Sequence, residues 1–297
     1  MFALIHKPVL IKEILEYLNP GQNENFVDCT VGEGGHSEEI LKKNSPEGKV
    51  LGIDTDPLQI SSAQWLQAQF KDRIILVNDS YANLREIVER KNFNPVNGIL
   101  LDLGMSSAHI ESSQKGFSFK VEQGLDMRYN DQVGYLTAEK IVNEWQEQDI
   151  QKILEEYGEE KFARKIAKNI IDKRKSGRIK TTTQLIEIIK QSTPPAYKRA
   201  KIHFATRTFQ ALRIAVNDEL ENIKRVLPQA VSVLSPGGRL AVISFHSLED
   251  RIVKNFFKKL PKNNFEILTK KPKTASRAEI RANPRARSAK LRAVIKI

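Results

Sequence analysis

Asp28, the glycines that follow it and Asp54 are the residues of this 297-residue chain whose types and spacing suit a nucleoside-binding site. Phe26-Val27 leads into Asp28-Cys29-Thr30-Val31-Gly32-Glu33-Gly34-Gly35-His36-Ser37, and a helical stretch, Glu38 to Lys43, comes next. Glycines in such a turn reach positive φ and let backbone approach a ligand at a helix N-terminus. Twenty-two residues after Gly32, the apolar run Val50-Leu51-Gly52-Ile53 ends in Asp54. In Rossmann-type sites a carboxylate there accepts hydrogen bonds from ribose hydroxyls. The combination predicts an adenosine-containing cofactor; a plain strand-to-helix turn accounts for the glycines but not for the two acids.

The turn also discriminates between cofactors. A dinucleotide fingerprint requires G-x-G-x-x-G, with the pyrophosphate on the helix N-terminus. Here the pattern is Gly32-x-Gly34-x-x-Ser37, without the third glycine. The charge of Asp28 would oppose a pyrophosphate and suit an ammonium. S-adenosylmethionine, with an ammonium, a sulfonium, a ribose and no phosphate, is therefore expected in preference to NAD.

These residues must be held by an α/β scaffold. Phe26–Cys29, Val50–Ile53, Ile74–Val77 and Ile99–Leu103 read as short buried strands, alternating with helix-like stretches such as Leu58–Phe70 and Tyr81–Lys91. That alternation predicts a parallel sheet with helices on both faces, its ligands beyond the carboxyl ends of the strands. Asp28, Asp54, Asp79 and Asp102 fall at those ends and should converge on one crevice. Gly116–Asn130 is irregular, and 137–191 is helical in period, with Ile150, Ile153, Leu154 and Tyr157 on one face and a capping box at Thr181–Gln184. Thr208–Val226 is expected to return to the sheet, followed by strands at Arg239–Ser244, Phe265–Leu268 and Leu291–Ile297. The predicted division is a discontinuous sheet domain, 1–112 with 208–297, and an inserted helical domain, 113–207.

The net charge of +12 is unevenly distributed. Residues 1–112 carry 10 Lys/Arg against 16 Asp/Glu, 161–213 carry 15 against 2, and 267–297 carry 10 against 1. Two separate basic blocks are an electrostatic footprint for a polyanion. Phe162, Ile166 and Ile170 form a stripe narrow enough for core packing, which favours nucleic acid over a membrane surface. Arg164, Lys165, Lys168, Lys173, Arg174 and Lys175 are expected on the polar side of an insertion helix and its exit, and Arg281, Arg285, Arg287 and Lys290 in a tail cluster. A single cysteine, Cys29, excludes a disulfide framework. With no signal-peptide pattern and no stretch of membrane-spanning length, a cytoplasmic location is expected. No two histidines share ligand spacing, and Cys29 has no partner for a metal.

The chain further resembles the bacterial 16S rRNA cytosine-N4 methyltransferases, the ribosomal RNA small subunit methyltransferase H family. The matching blocks are His6–Leu10, Asp28–Ser37, Leu100–Ser107, Gly116–Phe119, Leu125–Arg128, Ala205–Ile214, Ser244–Arg251 and Asn283–Ser288. The resemblance implies a class I (Rossmann-like) S-adenosylmethionine-dependent methyltransferase sheet with an inserted all-helical domain, and a cytidine of the decoding centre in 16S rRNA as target. It implies cofactor contacts at Gly34, Gly35, His36, Asp54, Tyr81, Asp102 and His109, with His36 contributing its backbone N–H rather than its ring. Tyr81 stands where Phe is frequent, and Gln123-Gly124 stands where Gly-Pro is usual, which predicts a looser loop.

Methylating the amine of cytosine is an in-line displacement by a poor nucleophile, so positioning alone can be worth ~7–11 kcal/mol. Asp102, at the end of the fourth strand, is the candidate catalytic residue: accepting a hydrogen bond from the amine would draw its lone pair out of the ring. Binding only cofactor is the other role open to Asp102. No strong base is required, since the methylated amine is acidic enough to lose its proton to water. The target base must be splayed out of the RNA. Phe117 and Phe119, near Asp126 and Arg128, are candidates to receive it, or else form a hydrophobic plug. His246 is read as a structural hydrogen-bonding residue in preference to a general base. The alternatives are a cytosine-N4 DNA methyltransferase, a small-molecule methyltransferase, a non-enzymatic RNA-binding module and an NAD dehydrogenase. The second leaves the basic blocks unexplained, the third the strand-end acids, and the fourth the turn.

Overall fold

The computed structural model describes residues 8–106, 109, 113–119, 121–199 and 202–297. They fall into two compact units, one comprising the chain up to Gly104 together with Leu220–Ile297, the other Met105–Glu219.

The first unit is built on a sheet of strands β1 (Phe26–Asp28), β2 (Val50–Asp54), β3 (Ile74–Asn78), β4 (Gly98–Asp102), β5 (Arg239–Ser244), β6 (Phe265–Ile267), β7 (Lys273–Thr274) and β8 (Lys290–Lys296). Their order is β3-β2-β1-β4-β5-β8-β6, with β7 paired to β8. β1 to β5 are mutually parallel, whereas β8 runs antiparallel to β5, β6 and β7. The central strands read as continuous apolar runs because both faces are covered: every residue of Val50–Ile53 and Gly98–Leu101 is buried. Helices Ile11–Leu18 and Gly35–Lys43 supply Ile14, Leu18, Ile40 and Leu41 to a core shared with Phe26, Leu66, Leu100 and Leu291. Each such side chain stabilises the fold by about 1.5–3 kcal/mol relative to exposure. β7, only two residues long and exposed, carries no apolar pattern from which it could have been predicted.

The second unit holds helices Ala138–Glu144, Glu147–Glu156, Ala163–Arg174, Thr182–Ser192, Pro195–Lys198 and Thr206–Asn217. Ile150, Leu154, Ile166, Ile170, Leu185, Ile189 and Leu212 form its core. The predicted capping box is present: Thr181 Oγ1 accepts from the Gln184 backbone N–H, and Gln184 Oε1 accepts from that of Thr181. The 116–125 loop is tied down where Gly-Pro was missing. Gln123 Oε1 accepts from the Gly116 N–H at 3.0 Å and the Gln123 N–H donates to Thr182 Oγ1 at 3.1 Å.

The compact units divide at 104/105 and 219/220, not at the expected 112/113 and 207/208. The reason is local. The amphipathic stretch from Thr208 breaks at Asp218, which takes a left-handed conformation with φ 51°. Its first half, Thr206–Asn217, packs on helices Ala138–Glu144 and Glu147–Glu156 of the second unit.

Candidate active site

β1, β2 and β4 lie side by side, and backbone hydrogen bonds stitch their carboxyl ends together. Cys29 N–H donates to Leu100 O and Val31 N–H to Ile53 O, both at 2.9 Å. Asp28, Asp54 and Asp102 are the last residues of their strands, and Asp79 follows β3 directly. Four acids thus reach one edge of the sheet, yet their side chains are used differently.

Asp28 is fully buried and faces inward. Its carboxylate accepts from Ser37 Oγ at 2.7 Å and from the Thr30 N–H at 3.2 Å. Burial pushes its pKa up to about 6, against the lowering effect of these hydrogen bonds. The expected service to a ligand ammonium is therefore not what this side chain does; it ties the turn to the next helix. Asp79 is likewise committed, capping Ser80 and Asn83 and pairing with Arg90 at 3.1 Å. Burial, reinforced by the charge of Asp28, pushes the Cys29 thiol well above the usual range, which makes it inert.

Asp54 braces the glycine turn. Its Oδ2 accepts from the Gly32 N–H at 3.0 Å and its Oδ1 from the Asp56 N–H at 2.9 Å. The twenty-two-residue spacing is thus a physical contact, and each carboxylate oxygen can accept more than one bond. The Asp54 carbonyl accepts from the Asp79 N–H at 3.0 Å, which brings the β3 end, with half-buried Tyr81 on its 3-10 turn, beside Asp54.

Gly32 and Gly34 both have positive φ, but different surroundings. A Cβ on Gly34 would lie 2.6 Å from Leu66, and one on Gly35 2.8 Å from Pro8, so both glycines are demanded by protein packing. A Cβ on Gly32 would meet nothing nearer than 3.7 Å. Space for a side chain is thus present at Gly32 and absent at Gly34 and Gly35. The N–H groups of Thr30, Val31, Gly32 and Gly34 all donate within the protein. A pyrophosphate would need several such donors at once.

His36, at the start of helix Gly35–Lys43, is buried, and its ring Nε2 lies 2.9 Å from the Val9 carbonyl. Burial holds its pKa down at about 4, so the ring is neutral near pH 7. Its Nδ1 stands 3.6 Å from Asp102 Oδ2. The Asp102 N–H donates to Thr30 Oγ1 at 2.7 Å, while its Oδ1 is buried without a hydrogen-bond partner among the described residues. Burial first, then the charges of Asp28 and Glu249, raise the Asp102 carboxyl well above the ordinary carboxylate range. An unsatisfied, proton-hungry acid at a strand end is a functional-site signature.

The structure therefore brings together Gly34, Gly35, His36, Asp54 and Asp102, with Tyr81 on the neighbouring strand end. His109 belongs to the second unit, in ring contact with Phe117 at 5.2 Å and Tyr129 at 4.8 Å. Phe117 is buried in that unit's core and stacked on Tyr129, whereas half-buried Phe119 stacks on His203 at 4.5 Å. Arg128 pairs with Asp126 at 2.7 Å and donates to the carbonyls of Asp131 and Gly134, bracing a loop. His246 is the N-cap of helix Ser247–Lys259, its Nε2 3.2 Å from Glu249 Oε1. Sequence reasoning missed Thr30, Val9 and Gln59, the last buried with an unpartnered Oε1. A hydroxyl within the turn signals Thr30; nothing in sequence signals that a main-chain carbonyl, that of Val9, fixes the His36 ring.

A parallel sheet closed by an antiparallel β8, with this crevice at its carboxyl edge, defines a Rossmann-like methyltransferase fold. The chain belongs to the MraW methylase family, whose model matches residues 3–297. A relative from Sulfurihydrogenibium sp. (strain YO3AOP1), named ribosomal RNA small subunit methyltransferase H, is 49% identical over 288 residues, covering 97% of each chain. One of the same name from Persephonella marina is 45% identical over 293 residues, 98% of this chain and 99% of the relative. A third, from Symbiobacterium thermophilum, is 44% identical over 311 residues, 99% of this chain and 98% of the relative.

Proposed function

We propose that the protein transfers a methyl group from S-adenosylmethionine to the exocyclic N4 of a cytidine in the decoding centre of 16S rRNA. Full-length similarity to relatives named as small-subunit rRNA methyltransferases supports the substrate class. The observation that carries the chemistry is Asp102, an acid with an unsatisfied buried oxygen at the end of β4.

The crevice fits the cofactor. Its turn has space at Gly32, its N–H groups already donate within the protein, which suits no pyrophosphate, and the strand-end position of Asp54 beside that turn supports a ribose contact. The cofactor, when bound, supplies an electrophilic methyl on a sulfonium. Gly34, Gly35 and the His36 backbone shape the turn that holds its aminoacyl end, Asp54 accepts from the ribose, and Tyr81 is assigned to its adenosine. Asp102 accepts a hydrogen bond from the substrate amine and orients the N4 lone pair. The exposed basic residues of the second unit hold RNA phosphates and carry no base selectivity.

The test is to incubate the protein with labelled S-adenosylmethionine and naked 16S rRNA, small ribosomal subunits or duplex DNA, then map the modified base. Label on N4 of a 16S cytidine is expected. Label on DNA alone, or on a different atom, overturns the proposal.

A further inference from the structure

The ring of His36 has a consequence that its backbone role does not cover. A carbonyl can only accept, so the contact from Nε2 to Val9 O at 2.9 Å places the proton on Nε2. Nδ1 then carries a lone pair, and that lone pair faces Asp102 Oδ2 at 3.6 Å. Two acceptors facing each other stay beyond hydrogen-bond range until a proton lies between them. Solvent reaches the Asp102 side chain, 16% exposed, although its Oδ1 is buried. The open oxygen is thus the one that looks at His36.

The ring is held from behind as well. Pro8 packs on Gly35, and Leu10, buried with φ 54°, donates its N–H to Glu279 Oε1 at 2.7 Å. The Val9 carbonyl between them is fixed, and with it the tautomer of His36. Asp28, Glu249 and Asp102 are the acids around this point, and no cation is found against Asp102 among the described residues.

We infer that His36 is a positioning residue for proton removal from the methylated amine, acting through Asp102, in place of the loss to water that the acidity of that amine alone would allow. As N4 forms its bond to the methyl carbon, the carbon–sulfur bond breaks with its electron pair passing to sulfur. One N4 proton passes to Asp102 Oδ2, and the new carboxyl O–H donates to the Nδ1 lone pair of His36. Amine, sulfonium and carboxylate become methylamine, thioether and carboxylic acid, so charge and protons balance. This rests on the reading that Asp102 faces the cytosine amine.

The first measurement needs no turnover. In 15N spectra of imidazole-labelled, cofactor-free protein, His36 should be the neutral Nε2–H tautomer from pH 5 to 8. Its Nδ1 resonance should move when Asp102→Asn replaces the acid. The second is a double-mutant cycle on single-turnover methyl transfer. His36→Leu should slow transfer by roughly tenfold or more, part of the 10²–10⁴ that a positioned proton acceptor supplies. His36→Gln, which keeps a donor for Val9 and an acceptor for Asp102, should recover most of that loss. In an Asp102→Asn background, His36→Leu should cost nothing further, because a residue acting only through Asp102 has no second route. An Nδ1–H tautomer, additive losses in the cycle, or wild-type transfer by His36→Leu each overturn the inference while leaving the methyltransferase reading intact. A wild-type chain that labels no cytosine amine overturns both.

Discussion

Asp28 and Asp102 end adjacent strands of one sheet, are the same residue type and are both held in low-dielectric surroundings, yet only one has its hydrogen bonds made. Asp28 accepts from Ser37 and Thr30 and is fully enclosed. Asp102 keeps one buried oxygen without a partner among the described residues and turns the other to a histidine lone pair. A buried polar group that is satisfied holds the fold together. One that is not costs about 1–3 kcal/mol and is retained where chemistry repays it. The same division runs through helix Ala163–Arg174. Arg174 is half-buried and donates to the carbonyls of Val142 and Trp145, while Arg164, Lys165 and Lys168 are exposed. Residue type is shared across each pair; commitment is not.

The largest effect is expected at the uncommitted acid. Asp102→Asn keeps the shape but cannot accept a proton, and single-turnover transfer should fall by roughly 10²–10⁴. Cofactor affinity by calorimetry should change little. Equal losses in both would make Asp102 a cofactor ligand and erase its contrast with Asp28.

The committed acid should answer in stability instead, with a definite sign. Asp28 has a folded pKa of about 6 against 3.8 unfolded, so its contribution is fully present below pH 3.8 and is lost as pH rises through 6. His36, at about 4 folded against 6.5 unfolded, behaves oppositely; its contribution is present above 6.5 and lost as pH falls through 4. The two slopes oppose one another between about pH 4 and pH 6. Asp28→Asn keeps an acceptor for Ser37 and removes the first slope while leaving that of His36. Its stability relative to wild type should therefore rise by about 2 kcal/mol between pH 4 and pH 7, measured by urea unfolding. A flat difference would mean that Asp28 is not the desolvated acid described.

Asp54 falls between the two cases, bracing Gly32 while remaining at the crevice. Asp54→Ala should weaken S-adenosylmethionine binding by about 1.5–3 kcal/mol, the range for hydrogen bonds to a charged group. Asp54→Asn keeps an acceptor for the Gly32 N–H and separates the brace from the ribose contact. Unchanged affinity in both variants would move the cofactor away from β2.

How much of this was legible beforehand follows the same line. Strand positions, the capping box and the Gly32–Asp54 spacing were readable, because apolar runs, cap residues and a turn leave local marks in sequence. The commitment of each polar group was not. Asp28 looked like a ligand for an ammonium until Ser37 and the Thr30 amide were seen to occupy it. Gly34 and Gly35 read as close-approach glycines, but nothing in the sequence says that Leu66 and Pro8 also leave no space there for a Cβ. The limit of the inserted unit was misjudged by its last helix, since periodicity shows that a helix has an apolar face and not which core receives it.

The smallest effect concerns RNA, and it tests the division within one helix. Each phosphate neutralised by a basic side chain releases counterions, so log K falls against log salt with a slope of about −0.9 per contact on duplex and −0.7 on single strands. Replacing Arg164, Lys165 and Lys168 together by Gln should weaken RNA binding and flatten that slope by about two units, allowing for incomplete contacts. Melting temperature should hold, because all three side chains are exposed. Arg174→Gln should do the reverse: its guanidinium caps two carbonyls across helices, so the loss appears in stability while the salt slope stays. If the triple variant leaves the slope intact, the charge of this helix is a solvated face and the tail cluster of Arg281, Arg285, Arg287 and Lys290 becomes the candidate footprint. If Arg174→Gln flattens the slope as much as the triple variant does, burial and hydrogen bonding do not divide structural from functional charge in this helix.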